Sequence, residues 1–199
     1  MSKAMSSARN SFDLADTPLA DLVREAAAQR LPPVEQWHPA HCGDSDMRIA
    51  RDGSWFHMGR PIRRPELVKL FSTILRREED GSHVLVTPVE KLAIAVEDLP
   101  FLAVELKSEG EGQGRTLAFR LSTGDLVVAG ATRPLHLNLA ADGRPDPALH
   151  VRGHIERPLL ARINRPVYYQ LADLAIAEQQ RQGGEIGLWS GGVFFAFAG

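Results

Sequence analysis

Residues 43–75 read GDSDMRIARDGSWFHMGRPIRRPELVKLFSTIL, and the fold turns on how the middle of this run pairs with itself. Asp52-Gly53 is a strong hairpin signal. A two-residue turn of the right hand needs positive φ at both centres, which Gly accepts and Asp tolerates. With those residues as the turn, Arg51 faces Ser54, Ala50 faces Trp55, Ile49 faces Phe56, Arg48 faces His57 and Met47 faces Met58. Alternation then separates two faces. Met47, Ile49, Phe56 and Met58 make the core face, with Arg51 and Ser54 at its turn end. Arg48, Ala50, Trp55 and His57 share the other, where a cation, an indole and an imidazole can meet an anionic or planar ligand.

After Gly59 the run predicts an amphipathic helix. Pro65 suits the first helical position, where a missing N–H costs nothing. Leu67, Leu70, Phe71, Ile74 and Leu75 recur at helical spacing as one apolar stripe. Arg63 and Arg64 stand at the helix start, where the dipole favours anions.

The whole chain of 199 residues allows one large domain or two small ones with ample core. A net charge of -2 lacks the basic footprint of a general nucleic-acid binder. Nineteen of the 23 basic residues are arginine, which suits phosphate clamping and equally reflects GC-rich coding. The one cysteine, Cys42, excludes an internal disulfide and fits a reducing cytoplasm. No apolar run approaches the roughly 20 residues of a membrane helix, and no signal-peptide core is present.

Residues 1–15 read as a frayed start, and Asp16-Thr17-Pro18 as the cap of a helix carrying Leu19, Leu22, Val23, Ala26 and Ala27. His38, His41, Cys42, Asp44 and Asp46 gather potential ligands, but their spacing matches no zinc pattern, so residues 37–46 are expected to be a loop without metal. From His83 onward, alternation predicts strands at 83–87, 92–96, 102–106, 117–121, 126–129, 135–139 and 149–152. Residues 108–114, SEGEGQG, read as a flexible seam between halves at 35–107 and 115–199, after an N-terminal segment at 1–34. If the strands around Leu137 and Val151 pair, His136, Asn138, His150 and Arg152 share a polar face.

Ile163 to Leu171 matches Ile62 to Leu70 at a shift of 101, with Ile, Arg, Pro and Leu in register. Both runs open a predicted helix, the second reaching about Gln182 and stopped by Gly183-Gly184, and the shared order predicts an internal duplication. Arg165 and Tyr168 stand at the second helix start. A last hairpin around Gly191-Gly192 puts Ile186, Leu188, Phe195 and Phe197 on one face, with Trp189 opposite Phe194 on the other. Both faces are apolar, so core or a second subunit must cover them.

No P-loop, G-x-G-x-x-G, G-x-S-x-G or H-E-x-x-H is present. Asp44 and Asp46 are spaced to act as paired carboxylates or to hold a divalent ion, although two Asp residues before a strand more often cap a turn.

The runs WHPAHCGDSDMRIARDGSWFHMGRPIRRPELVKLFSTILRREEDG, HVLVTPVEKLAIAVEDLPF and HVRGHIERPLLARINRPVYYQL resemble domain-of-unknown-function family 1285. The resemblance spans residues 35 to 199. It implies an α+β fold with a duplicated core of antiparallel strands and packed helices, the second half superficially like a pleckstrin-homology barrel. It also implies a ligand site between the halves for a nucleotide-type molecule, and a role in bacterial signalling. It carries no proven functional residues.

The resulting expectation is a cytoplasmic, non-enzymatic binding module without cofactor. Arg48, Trp55, His57, Arg63 and Arg64 from the first half, and His150, Arg152, Arg165 and Tyr168 from the second, would hold an anionic ligand between them. Two rivals stand beside it. One is a metal-assisted hydrolase built on Asp44 and Asp46; the other is an interaction scaffold, or homo-oligomer, using the terminal hairpin.

Overall fold

The structure, a computed structural model, describes Leu14 and residues 17–197; the expected frayed start and the Asp16 cap lie outside these residues, Leu14 apart. The decisive hairpin forms between β1 (His41–Ile49) and β2 (Trp55–His57), but with a longer loop than expected. Ala50 N donates to Ser54 O at 2.8 Å and Gly53 N to Ala50 O at 2.9 Å, so Arg51, Asp52 and Gly53 all lie in the loop. Of these only Gly53, at φ 82°, is left-handed, as in a three-residue loop closed by a glycine bulge. One extra loop residue moves the register by one. Met47 pairs with His57, Arg48 with Phe56 and Ile49 with Trp55. Every side chain of β2 therefore changes face. Trp55 joins Met47 and Ile49 in the core at 2% exposure, and Phe56 turns outward beneath the Arg48 guanidinium, 4.3 Å from its ring centre.

β1 also begins earlier than the expected loop allowed. His41 to Asp44 pair in parallel with β6 (Glu90–Val96), and a bulge between Asp44 and Met47 puts Asp46 at φ 52°. The first sheet is completed by β3 (Arg60–Pro61), β4 (Leu75–Arg77) and β5 (His83–Val86), in the order β3-β2-β1-β6-β5-β4, with α2 (Pro65–Thr73) between β3 and β4. It is two antiparallel meanders joined by the parallel pair of the first strand with the last. α2 starts at Pro65 but ends before Leu75, which belongs to β4. Val68, Phe71 and the small, buried Ser72 face inward, and Leu67 and Leu70 of the expected stripe remain exposed.

The second sheet uses β7 (Phe101–Glu109), β8 (Thr116–Leu121), β9 (Leu126–Val128), β10 (Leu135–Leu139), β11 (Pro145–Arg152) and β12 (Leu159–Ile163). Its order from the other edge is β9-β8-β7-β12-β11-β10, with β7 and β12 parallel. The two sheets share one topology, mixed rather than purely antiparallel. Equivalent strands begin 60 to 69 residues apart, as His41 and Phe101 or Glu90 and Leu159 show. The repeat therefore does not follow the shift of 101. Ile62 comes after an edge strand, whereas Ile163 ends a central one. The passage between sheets falls at Glu97–Pro100, and β7 belongs wholly to the second.

One core joins the halves. Met47, Ile49, Trp55, Leu85 and Ile94 pack in the same cluster as Phe101, Phe119, Leu149 and Ile163. On the outer side of the second sheet, α1 (Leu19–Ala28) buries Leu19, Leu22 and Ala26 against Ala118 and Leu126. No helix among the described residues is long and apolar enough to cross a membrane.

α3 (Arg165–Gln182) opens where Asn164 Oδ1 accepts from Val167 N at 2.9 Å, and stops at Gly183. Its buried line is Val167, Leu171, Ala175 and Glu178. The last hairpin, β13 (Gly187–Ser190) and β14 (Val193–Ala196), keeps the expected register, with Leu188 opposite Phe195 and Trp189 opposite Phe194. Ser190 Oγ stitches it to the second sheet, donating to Ala129 O at 2.8 Å and accepting from Leu117 N at 2.9 Å.

The 108–114 loop is anchored rather than a loose seam. Arg115 and Glu178, 4% and 5% exposed, form an ion pair at 2.6 Å, and Glu178 also accepts from Gly112 N. Breaking a buried pair from one side leaves an uncompensated charge, so Glu178→Ala should cost about 3–5 kcal/mol in urea denaturation. The hydrogen bond from Arg115 holds the Glu178 carboxyl below its ordinary range despite burial. A lowered carboxyl stabilises the fold above its unfolded-state pKa, and that stability is lost as pH falls through the folded-state value. Wild type should therefore lose more stability on acidification than Glu178→Gln.

Candidate functional site

A cleft of about 660 Å³ is lined by both halves. The first half contributes Arg51 from the three-residue hairpin loop, and the passage between sheets contributes Asp98. The second contributes Arg144 and Asp146, Arg162 from β12, and Arg165, Tyr168 and Tyr169 from the start of α3. The volume suits a small molecule.

Arg162 is the fixed point of the cleft. Its Nε and Nη2 donate to the two Asp98 carboxylate oxygens at 2.9 and 2.8 Å, and its Nη1 donates to Asp146. Hydrogen bonds from Arg162, with the added charge of Arg162 and Arg51, hold Asp98 below the ordinary carboxylate range. Asp98 in turn raises Arg162. With most of its N–H groups engaged, Arg162 can offer a ligand little beyond charge. The guanidinium groups of Arg51 and Arg165 form no ion pair among the described residues, although Arg51 N donates to the Glu97 carboxylate at 3.1 Å and its charge reaches Asp98; Arg144 pairs with exposed Asp142 at 3.5 Å. Four arginines against two aspartates leave the cleft two positive charges in excess.

Of the residues expected to bind ligand, Arg165 and Tyr168 line this cleft. Trp55 is buried in the core by the register of its hairpin, and the little surface it keeps opens on the groove that Arg63 also lines, away from this cleft. Arg48 lies over Phe56 and pairs with Glu97. His57 lines a separate groove at the β2–β3 corner, Arg63 lines another beside Ser54 and Ser122, and Arg64 is the N-cap residue of α2. His150 is buried, with Nε2 2.9 Å from Arg152 O. A bulge between His150 and Arg152 turns Arg152 from the face of His150 to the opposite one. There its guanidinium lies 5.3 Å from the Phe101 ring centre and donates to Ser72 O at the end of α2. Burial lowers Arg152 to about 10, against the opposing charge of Asp125. Arg152 is a strut between the halves, and the polar faces centred on Arg48 and His150 do not form one site.

Arg51, Asp98, Arg144, Asp146, Arg162 and Tyr169 carry no motif. Arg162 had one available signal: Leu159, Ala161 and Ile163 alternate with Leu160 and Arg162, which makes a strand with Arg162 on its polar face. Asp44 Oδ1 accepts from Asp46 N at 2.8 Å, and no three His, Cys, Asp or Glu side chains among the described residues gather as a metal site.

Two family descriptions match the chain in tandem: "Domain of unknown function (DUF1285), N-terminal domain" over residues 32–99 and "Protein of unknown function (DUF1285), C-terminal domain" over residues 100–197. The chain is similar to the crystal structure of a DUF1285 family protein from Silicibacter pomeroyi DSS-3. Identity is 44%, over 88% of this chain and 93% of that one, with a TM-score of 0.73. It also matches a DUF1285 family protein from Shewanella baltica OS155, at 26% identity over 64% of this chain and 91% of that one, with a TM-score of 0.48. No curated protein matches.

The buried and cleft-lining positions should separate in a stability assay. Trp55→Ala should cost about 3–5 kcal/mol, the usual range for emptying a core aromatic site. Arg165→Ala, at an exposed position, should stay within about 0.5 kcal/mol of wild type. Chemical denaturation of the two variants checks this.

Proposed function

The chain belongs to the DUF1285 family, described as of unknown function, and we propose from the chemistry of its cleft that it is a non-enzymatic binding module for an anionic, ring-bearing small molecule such as a nucleotide. The observation that carries this reading is the meeting of Arg51 from one half with Arg165, Tyr168 and Tyr169 from the other. Arg51 and Arg165 would hold phosphate through charge-assisted, bidentate bonds. The tyrosine rings would flank a planar group, and the start of the 18-residue α3 adds a favourable dipole. Arg162, clamped by Asp98 and Asp146, would set the shape of the cleft.

A ligand that bridges the halves would bias how they are held, which fits a cytoplasmic signalling role. In the pleckstrin-homology likeness of the second half, the long helix after the strands is the point in favour, and the parallel pairing of β7 with β12 is the departure from it.

The test is thermal denaturation against mono-, di- and cyclic nucleotides, with inorganic phosphate and divalent metals as controls. A ligand at a hundredfold its Kd stabilises by about 2.7 kcal/mol, roughly 5–10 °C at this length. One nucleotide class should give such a shift, and Arg51→Ala and Arg165→Ala should each remove most of it. A full shift retained in both variants would place the ligand elsewhere.

A further inference from the structure

The two faces of the terminal hairpin have different surroundings. Leu188 and Phe195 enter the core. Trp189 and Phe194, paired across the strands, stand on the outer face with ring centres 5.4 Å apart and planes at 55°. Both are half-buried. Gly187 shares that face, two residues before Trp189, and the Phe194 ring rests against its bare Cα: a Cβ there would come within 2.3 Å of Phe194 Cζ. The end of α3 closes the other side. Together these parts form a recess of about 220 Å³, below the usual size of a drug-sized site and suited to a single headgroup.

The recess is electronegative. Its charged lining residues are Glu178 and Glu185, beside Gln179 and Gln182. The Glu178 carboxylate is taken up by Arg115 and Arg181, and Arg181 also meets Glu111, so this network balances two cations with two anions. Exposed Glu185 makes no ion pair among the described residues and is the charge in excess. The 18-residue α3 adds the negative end of its dipole. Past the bond from Gly183 N to Gln179 O, the carbonyls of Gln180, Arg181 and Gln182 accept no backbone hydrogen bond among the described residues.

These features select one class of ligand. An anion would meet Glu185, the helix end and the ring faces, all of the wrong sign. A hard metal ion needs several oxygen ligands, and the recess offers one uncommitted carboxylate. A neutral apolar group would gain from the rings and nothing from Glu185. An alkylated ammonium is drawn by ring faces and carboxylate together.

We propose that the recess between the end of α3 and the terminal hairpin binds the quaternary ammonium group of an organic cation. Trp189 and Phe194 supply the ring faces and Glu185 the counter-charge. The site lies at the opposite end of α3 from Arg165 and Tyr168, about 27 Å along the helix, and does not depend on the ligand of the cleft.

The test is calorimetric titration of the full chain with choline. The controls are the uncharged alcohol in which a tert-butyl group replaces the trimethylammonium, and sodium chloride at matched ionic strength. Choline should bind saturably, and the uncharged isostere about tenfold or more weaker. Trp189→Leu should remove choline binding. Glu185→Gln, at an exposed position, should keep the wild-type thermal midpoint and weaken choline about threefold or more. The proposal is overturned if choline does not bind, if the isostere binds as tightly, or if both variants bind choline as wild type does. A trimethyllysine peptide that binds more tightly than choline, and is weakened by the same variants, would support the site with its cation carried on a protein side chain.

Discussion

Each sheet of this protein depends on one parallel pairing, β1 with β6 and β7 with β12. A meander of three short strands leaves two open edges and buries little. Joining two meanders through their first and last strands makes a six-stranded sheet whose centre is the pairing itself. That pairing needs the long connection any parallel pair requires, and each half supplies it with its own strands. Only Glu97 to Pro100 separate the last strand of the first sheet from the first strand of the second. Central strand runs directly into central strand, which is why Ile94 and Phe101 belong to one core.

This short passage also explains where the chemistry lies. Asp98 sits within it and grips Arg162 on β12, so the link between halves is tied to the floor of the cleft. Arg152 braces the same joint from another side, reaching Ser72 O across the core. The hairpin loop that displaced Trp55 from its expected face is the one that brings Arg51 to the cleft rim.

Local order could be read from the chain wherever one residue decides it. The Gly191-Gly192 turn, the Pro65 and Asn164 helix starts and the Gly183 stop follow from glycine and proline geometry. The Asp52-Gly53 hairpin was legible as a hairpin but not in register, because two- and three-residue loops both welcome glycine at that place. The β-bulge beside Val151 leaves no mark in the alternation, which by itself puts Arg152 on the face of His150. The early start of β1 was hidden by its polar residues, which pair as backbone with β6 whatever their side chains. The repeat lies in strand order, and the sequence likeness at 101 residues had no structural counterpart. The cleft draws on four separate segments, and only Arg165 and Tyr168 were legible, since a helix start announces itself and a strand's polar face does not.

The topology also sets a timetable for synthesis. β1 leaves the ribosome with its pairing partner still untranslated, and the gap from His41 to Glu90 takes roughly 2–10 seconds at ordinary elongation rates. During that interval the inner edge of β1 is bare, and a bare edge recruits other nascent chains. The composition of the strand answers this. Its first half, His41 to Ser45, is polar and small, Asp46 breaks its regular hydrogen bonding at the bulge, and the apolar Met47 and Ile49 lie on the stretch β2 pairs with first. The polar half that obscured the strand to inspection is what lets it wait.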